Sequence, residues 1–248
     1  MSPTPRPRPR QSWRCVHDGG SGHGSESSAT ADRADPARGV NGEPGQAGVR
    51  DDARHAVPLT AYGHEQAAEA GKQLRELFEG EPVRVYVSPY LRALQTLDSL
   101  GLDDLIGLAR EEPRLREQDW ANFQDTEDIV RQEALRNSYG HFFYRFTHGE
   151  SGSDVYDRVS SFLETMHRDF ETPDSPRNVL LVSHGLTMRL FCMRWFHWSV
   201  RFFETLRNPG NAETRVLLRQ PDYRYKLDRP FEQWTVHEPT ERERSAWL

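Results

Sequence analysis

The stretch Asn178-Val179-Leu180-Leu181-Val182-Ser183-His184-Gly185 decides the fold. Its apolar residues form a continuous run of strand length rather than an alternation. That pattern belongs to a strand buried on both faces, as in a parallel sheet. The run stops at Ser183-His184, and a helical pattern follows at once from Gly185 to Trp195. His184 therefore stands at the C-terminal tip of a buried strand and at the N-terminus of a helix. Open α/β sheets bind ligands along that edge. The helix start adds partial positive charge and free N–H groups, which suit phosphate. Taken alone, a histidine there could equally be a structural cap.

The same pattern recurs upstream. Val83 to Val87 is a second buried strand, closed by Ser88-Pro89, and a helix runs from there through Leu94 and Leu97 to about Leu100. Arg92 lies one turn into that helix and can point back to the strand tip, where a guanidinium can grip phosphate oxygens bidentately. An isolated arginine would be an ordinary surface residue. Thr60 to about Phe78 is a helix with Thr60 as its N-cap and Ala67, Ala70, Leu74 and Leu77 on one face. Leu115-Arg116-Glu117-Gln118-Asp119-Trp120 sets a carboxylate beside an aromatic; partial desolvation there would suit a general acid. Read by itself, the segment is a solvated acidic loop.

Between and beyond these segments the reading is plainer. Residues 101–125 are mixed, with a turn near Glu111 to Arg114. Asp125 to Tyr139 is helical, and Phe142, Phe143, Tyr144 and Phe146 form a core or lid. Ser153 to Phe170 is an amphipathic helix with Ser153 as its expected N-cap and Val155, Val159, Phe162, Leu163 and Met166 in one stripe. Thr214 to Arg219 and Tyr223 to Leu227 are two closing strands. Strands alternating with helices imply a three-layer α/β/α domain, its mostly parallel sheet covered on both faces. Residues 229–248 are expected to be a polar tail.

Composition bounds the partners. The chain has 248 residues, a net charge of −6 and two cysteines, Cys15 and Cys192. The negative balance argues against non-specific nucleic-acid or anionic-membrane binding. The distant cysteines give neither a disulfide framework nor a metal site. No apolar run reaches the roughly 20 residues of a membrane span, and the expectation is a cytoplasmic protein. Nothing sets an oligomeric state. Before His55 there is no Leu, Ile, Phe or Tyr. Residues 1–54 are therefore expected to be disordered or aberrant, because they can bury too little apolar surface to offset the entropy of ordering.

The strand end at His184, the segment Ser88 to Thr96, the loop Leu115 to Trp120 and Gly149 to Tyr156, whose local reading is a turn and a helix start, together resemble the histidine phosphatase superfamily, the phosphoglycerate mutase-like fold, over residues 55–228. Pro58-Leu59-Thr60, Gly63 and Gln66 look like its "LTxxGxxQA" helix start, Tyr86 to Thr96 like "SSPxxRAxQT", Leu115 to Asp119 like its general-acid loop, and Val182 to Gly185 like its second histidine motif. Asn208 to Glu213 and the two strands after it look like the family's closing hairpin. The spelling of residues 111–124, 139–158 and 193–208 is nearest the broad-range acid phosphatase branch. The resemblance implies a small phosphorylated substrate, no metal and no cofactor. It also implies a phosphohistidine intermediate, with Arg92 and His184 binding the phosphoryl oxygens and Glu117 as acid and base. Two alternatives remain open: a phosphoglycerate mutase, and a non-catalytic phosphate-binding or interaction protein.

One part of the pattern is not encoded. The family's first strand and "RHGES" turn should precede His55, and no such segment is read there. His23-Gly24-Ser25-Glu26 has no apolar strand before it and Gly22 in place of the arginine; His17 fits less well, and His55 lies too close to the helix start. The first strand and the nucleophile are thus expected to be missing and the literal chain inactive. The genetic code offers a reason. Codons for Ala29 to Pro44, read one base later, permit Arg-Arg-Leu-Ile-Val-Leu-Ile-Arg-His-Gly-Glu-Ser-Thr-Gly-Asn, with the histidine straddling Ala37 and Arg38. Residues from about 29 to 54 then read as a shifted frame, restored near Arg54. Sequencing the gene across codons 25–60 tests this: the shifted bases are expected to spell His-Gly-Glu, and any other spelling removes the explanation.

Overall fold

The computed structural model describes residues 12–17, 54–120, 126–173 and 175–234. Among the described residues, six strands form one sheet: β1 (Ser12–His17), β2 (Val83–Val87), β3 (Ile106–Glu111), β4 (Asn178–Ser183), β5 (Thr214–Arg219) and β6 (Tyr225–Leu227). Their order is β3-β2-β4-β1-β5-β6. The pairs β3·β2, β2·β4 and β4·β1 are parallel, while β5 pairs antiparallel with β1 and β6. The helices are α1 (Ala61–Phe78), α2 (Leu91–Ser99), α3 (Thr126–Tyr139), α4 (Gly152–Phe170), α5 (Gly185–Phe196) and α6 (Val200–Thr205).

The strand period of two sorts the core into two layers. Val83, Val85 and Val87 of β2 and Leu180 and Val182 of β4 pack with Leu74 and Phe78 of α1 and Ala93 of α2. Tyr86, Val179 and Leu181 face the other way, into Val155, Val159, Phe162 and Met166 of α4 and Leu190 and Phe191 of α5. The expected three-layer α/β/α architecture is therefore present. Within the first of these layers α1 packs closely on the end of α2: a Cβ added to Gly71 would lie 1.9 Å from the carbonyl oxygen of Leu100, so only glycine fits.

Most helix ends follow local chemistry. The Thr60 hydroxyl accepts from Gly63 N at 3.0 Å, as expected for the N-cap of α1. Helix α4 is capped by Ser151 rather than Ser153, in a reciprocal capping box with Asp154. The expected cap lay two residues late because the box partner, an aspartate three residues on, was not weighed. Strand β3, missing from the sequence reading, is an exposed edge strand containing Gly107, Arg110 and Glu111, so it lacks an apolar run. The expected polar tail starts late: Phe231 is buried, and Trp234 N donates to Thr205 O at 2.8 Å. Among the described residues, no helix is long and apolar enough to cross a membrane.

The largest correction concerns the first strand. The expectation that no strand precedes His55 is overturned by Ser12–His17, which lies between β4 and β5. Counting Leu, Ile, Phe and Tyr overlooked Trp13, Cys15 and Val16, which also favour strands. The physical cause is the slot itself: without an occupant, one long edge of β4 and one of β5 would leave buried backbone groups unpaired. Residues 1–11 and 18–53, where the rest of the expected disordered or aberrant segment falls, lie outside the described residues. Val16→Pro removes a ladder donor in this central strand. It is expected to lower stability by about 2–4 kcal/mol, read from urea unfolding. An unchanged midpoint would argue that Ser12–His17 does not hold the slot in solution.

Candidate active site

The site forms where β2 and β4 end side by side. Ser88 N donates to Val182 O at 2.9 Å, extending the β2·β4 ladder by one bond and bringing Ser88 to His184. Both are fully buried. The Ser88 hydroxyl lies 2.7 Å from His184 Nε2, and Arg92 Nη2 lies 3.1 Å from His184 Nδ1. Tyr90 meets the His184 ring edge-on at 5.1 Å, and the Arg92 guanidinium lies 4.9 Å from the Tyr90 ring centroid. His184 is the N-cap of α5, yet its side chain makes no cap hydrogen bond. Its ring instead meets Ser88 and Arg92.

Glu117 joins them from a separate loop, its Oε2 3.9 Å from His184 Nδ1. Burial, together with the Glu117 and Asp119 carboxylates, raises the Tyr90 phenol above its ordinary value, against the opposing charges of Arg92 and Arg116. Trp120 does not cover Glu117; it stacks on Phe146 at 4.9 Å, with Arg136 on its face. So the three residues singled out from sequence, Arg92, Glu117 and His184, converge, but the aromatic expected beside the acid serves the neighbouring wall. His55, in the turn Arg54–Ala56, reaches the rim, 6.5 Å from the Tyr90 ring.

The loop that carries Glu117 is held by residues the sequence did not single out for it. Leu115 is buried, and its carbonyl accepts from Ser183 Oγ at 2.8 Å; Thr187 Oγ1 donates to Arg116 O at 3.1 Å. Arg158 reaches across from α4. Its Nη1 donates to Arg114 O at 2.5 Å and its Nη2 to Glu117 O at 3.1 Å. The same guanidinium pairs bidentately with Glu150, at 3.1 and 3.0 Å. Glu150 also accepts from Arg116 and, at 3.0 Å, from Asp119 N. The signal was a carboxylate–arginine pair eight residues apart, across a helix start. Local pattern gave it no meaning, because the two side chains meet only around a third segment.

The position of a nucleophile can be stated from register. Val16 pairs with Val182 and His17 with Ser183, so β1 brings His17 to the strand edge one step short of His184. The next residue, Asp18, and His23 lie outside the described residues. No group of three or more His, Cys, Asp or Glu able to hold a metal occurs among the described residues.

This geometry agrees with the sequence comparisons. The histidine phosphatase superfamily (branch 1) matches residues 45–229, and the chain belongs to that superfamily. It is 48% identical over 182 residues to the phosphoglycerate mutase-like protein AT74H of Arabidopsis thaliana, covering 66% of this chain and 64% of that protein. It is 45% identical over 130 residues to the broad-range acid phosphatase DET1 of Saccharomyces cerevisiae, covering 51% of this chain and 39% of that one. It is 47% identical over 179 residues to the Arabidopsis protein AT74, covering 66% of this chain and 56% of that one. The chain thus spans less than two thirds of each of these relatives. Among solved structures, a mycobacterial glucosyl-3-phosphoglycerate phosphatase superposes with a TM-score of 0.60 at 21% identity, over 90% of this chain and 99% of that one. At that identity the likeness speaks to fold alone.

Arg158 tests how the loop is built. Arg158→Ala leaves the mostly buried Glu150 carboxylate without its bidentate partner and two loop carbonyls without donors. A loss of about 3 kcal/mol is expected by urea unfolding. A loss below about 1 kcal/mol, the scale of an exposed pair, would mean that the clamp does not order the loop.

Proposed function

We propose that this domain is a metal-independent phosphomonoesterase of the acid phosphatase type, acting on a small cytoplasmic phosphate ester. One observation carries the reading: a guanidinium, an imidazole and a carboxylate converge at the C-terminal edge of the sheet, with Arg92 3.1 Å and Glu117 3.9 Å from the same nitrogen of His184. Such a cluster suits a tetrahedral dianion. The cations hold the phosphoryl oxygens as charge builds on them, and the first N–H groups of α5 lie beside them. In the family's chemistry a histidine attacks phosphorus and the ester oxygen leaves. Glu117 would donate the proton that this oxygen needs, then take one from the water that hydrolyses the phosphohistidine.

The literal chain is proposed to be inactive, or nearly so, because its nucleophile lies in the shifted frame. Two facts support this. The family match begins at residue 45, after His17 and His23. And β1 brings a histidine to the position before the one that pairs with His184, not to that position. The phosphatase domain is then residues 55–228, with Ser12–His17 as a strand of its sheet and the residues to Trp234 packed against it, and the aberrant segment is residues from about 29 to 54. The names of the Arabidopsis relatives keep a mutase reading in play, and 2,3-bisphosphoglycerate dependence separates the two.

Turnover of p-nitrophenyl phosphate by the literal chain and by a frame-restored chain decides the matter. The restored chain is expected to turn over without added metal and without 2,3-bisphosphoglycerate. The literal chain should be slower by on the order of 10³-fold or more. Equal rates would overturn the frame reading, and a restored chain that needs the bisphosphate would be a mutase.

A further inference from the structure

We infer that Ser88 is a positioning residue that fixes the tautomer of His184, so that the site takes up a proton when it binds a tetrahedral dianion. The inference rests on the phosphate reading of the site and deepens it.

The donor inventory carries the argument. A guanidinium has five N–H donors and no acceptor. Arg92 Nη2 sits 3.1 Å from His184 Nδ1, so that nitrogen must present its lone pair. A neutral ring then carries its proton on Nε2, and Nε2 faces the Ser88 hydroxyl at 2.7 Å. Ser88 accepts that proton's hydrogen bond. The serine is itself fixed: it is fully buried, its N–H is bound to Val182 O, and its hydroxyl lies 3.4 Å from Tyr90 N. A ring protonated on both nitrogens would set N–H against N–H at Arg92.

A bound dianion reverses the requirement. Its oxygens are acceptors only, and they claim the donors of Arg92. Nδ1 would then oppose an oxygen lone pair to lone pair unless it gains a proton. With Ser88 holding Nε2–H, the proton adds at Nδ1 and the ring becomes an imidazolium that donates to the anion on one side and to Ser88 on the other. Among the described residues, the groups seen against the ring are Ser88 and Tyr90 from the turn after β2, Arg92 from α2 and Glu117 from the loop after β3. On the β1 side, His17 holds the register position beside Ser183. Of these, Arg92 and Glu117 are the charged groups.

Sulfate is the probe, because it carries no titratable proton near neutrality and any proton taken up must go to the protein. The full chain is used, since the measurement needs no turnover. Long-range proton–nitrogen NMR of the ¹⁵N-histidine-labelled chain at about pH 8, above the ordinary imidazole value of about 6.5, reads the ring, with the His184→Gln spectrum assigning it. The Nε2–H tautomer is expected without anion, and both nitrogens protonated with saturating sulfate. Calorimetry in buffers of differing ionisation enthalpy is expected to show uptake of about one proton per sulfate. Ser88→Ala should mix the tautomers and weaken sulfate about tenfold. An Nδ1–H ring in the anion-free chain, a neutral ring with sulfate bound, or an unchanged tautomer and affinity in Ser88→Ala would each overturn the inference. If the chain shows the Nε2–H tautomer but binds no tetrahedral anion, the phosphate reading fails and proton uptake with it, while the serine's hold on the tautomer stands.

Discussion

Strand β4 is buried on both faces and flanked on both edges, so each backbone N–H and C=O it carries must find a partner in a neighbouring strand or loop. That constraint builds the site. On one edge the ladder to β2 runs one bond past the strands, through Ser88 N to Val182 O, and that last bond brings a hydroxyl to His184. At the tip, Ser183 Oγ and Thr187 Oγ1 bind the carbonyls of Leu115 and Arg116, and so the loop of Glu117 is tied to the same strand and the helix that follows it. Arg92 arrives because α2 begins three residues after Ser88. Ser88 thus reaches its place through backbone pairing, the Glu117 loop through side-chain bonds from β4 and α5, and Arg92 through the start of α2.

The charges divide into two sets with different duties. Arg158 and Glu150 satisfy one another, side by side and mostly buried, and their other hydrogen bonds go to loop backbone and to the Arg116 side chain. A closed pair of this kind adds little net stability over an apolar contact, yet it defines a geometry that breaking either partner would destroy. Arg92, His184 and Glu117 form the other set, gathered at the sheet edge where a ligand's oxygens can meet them: Arg92 is 3.1 Å and Glu117 3.9 Å from the same nitrogen of His184. The first set gives the second a fixed frame.

Much of this was legible in sequence, and the reason is physical. Asn178–Ser183 and Val83–Val87 were read to the residue, because a strand buried on both faces must be apolar throughout and must stop where it meets solvent or ligand. Arg92 and His184 were legible because each sits at a fixed offset from such a strand end. What was not legible depends on contacts between distant segments. Ser88 looked like part of a strand-to-helix turn until its hydroxyl was seen against a residue 96 positions away. Glu150 and Arg158 looked like a turn and a helix surface. Strand β3 has no apolar run because an edge strand needs none. Phe231 is one buried aromatic in a polar stretch, and nothing local marks it.

The slot between β4 and β5 bears on the question of reading frame. It is one strand wide, and Ser12–His17 fills it with Arg14 opposite Leu180 and Trp13 opposite Val179. The shifted-frame strand would bring Leu-Ile-Val-Leu-Ile to the same place. Set so that its arginine takes the position of His17, it brings a histidine beside His184 and an isoleucine beside Val182. It also replaces Ser12 and Arg14 with apolar residues in a central strand, each worth about 1.5–3 kcal/mol when buried. Two strands cannot share one slot, and the more apolar one would win it. In a frame-restored chain the residues 12–17 would therefore be displaced from the sheet. The strand seen here and the proposed nucleophile are then mutually exclusive occupants of the sheet, since whatever stands beside β4 also sets which residue meets His184.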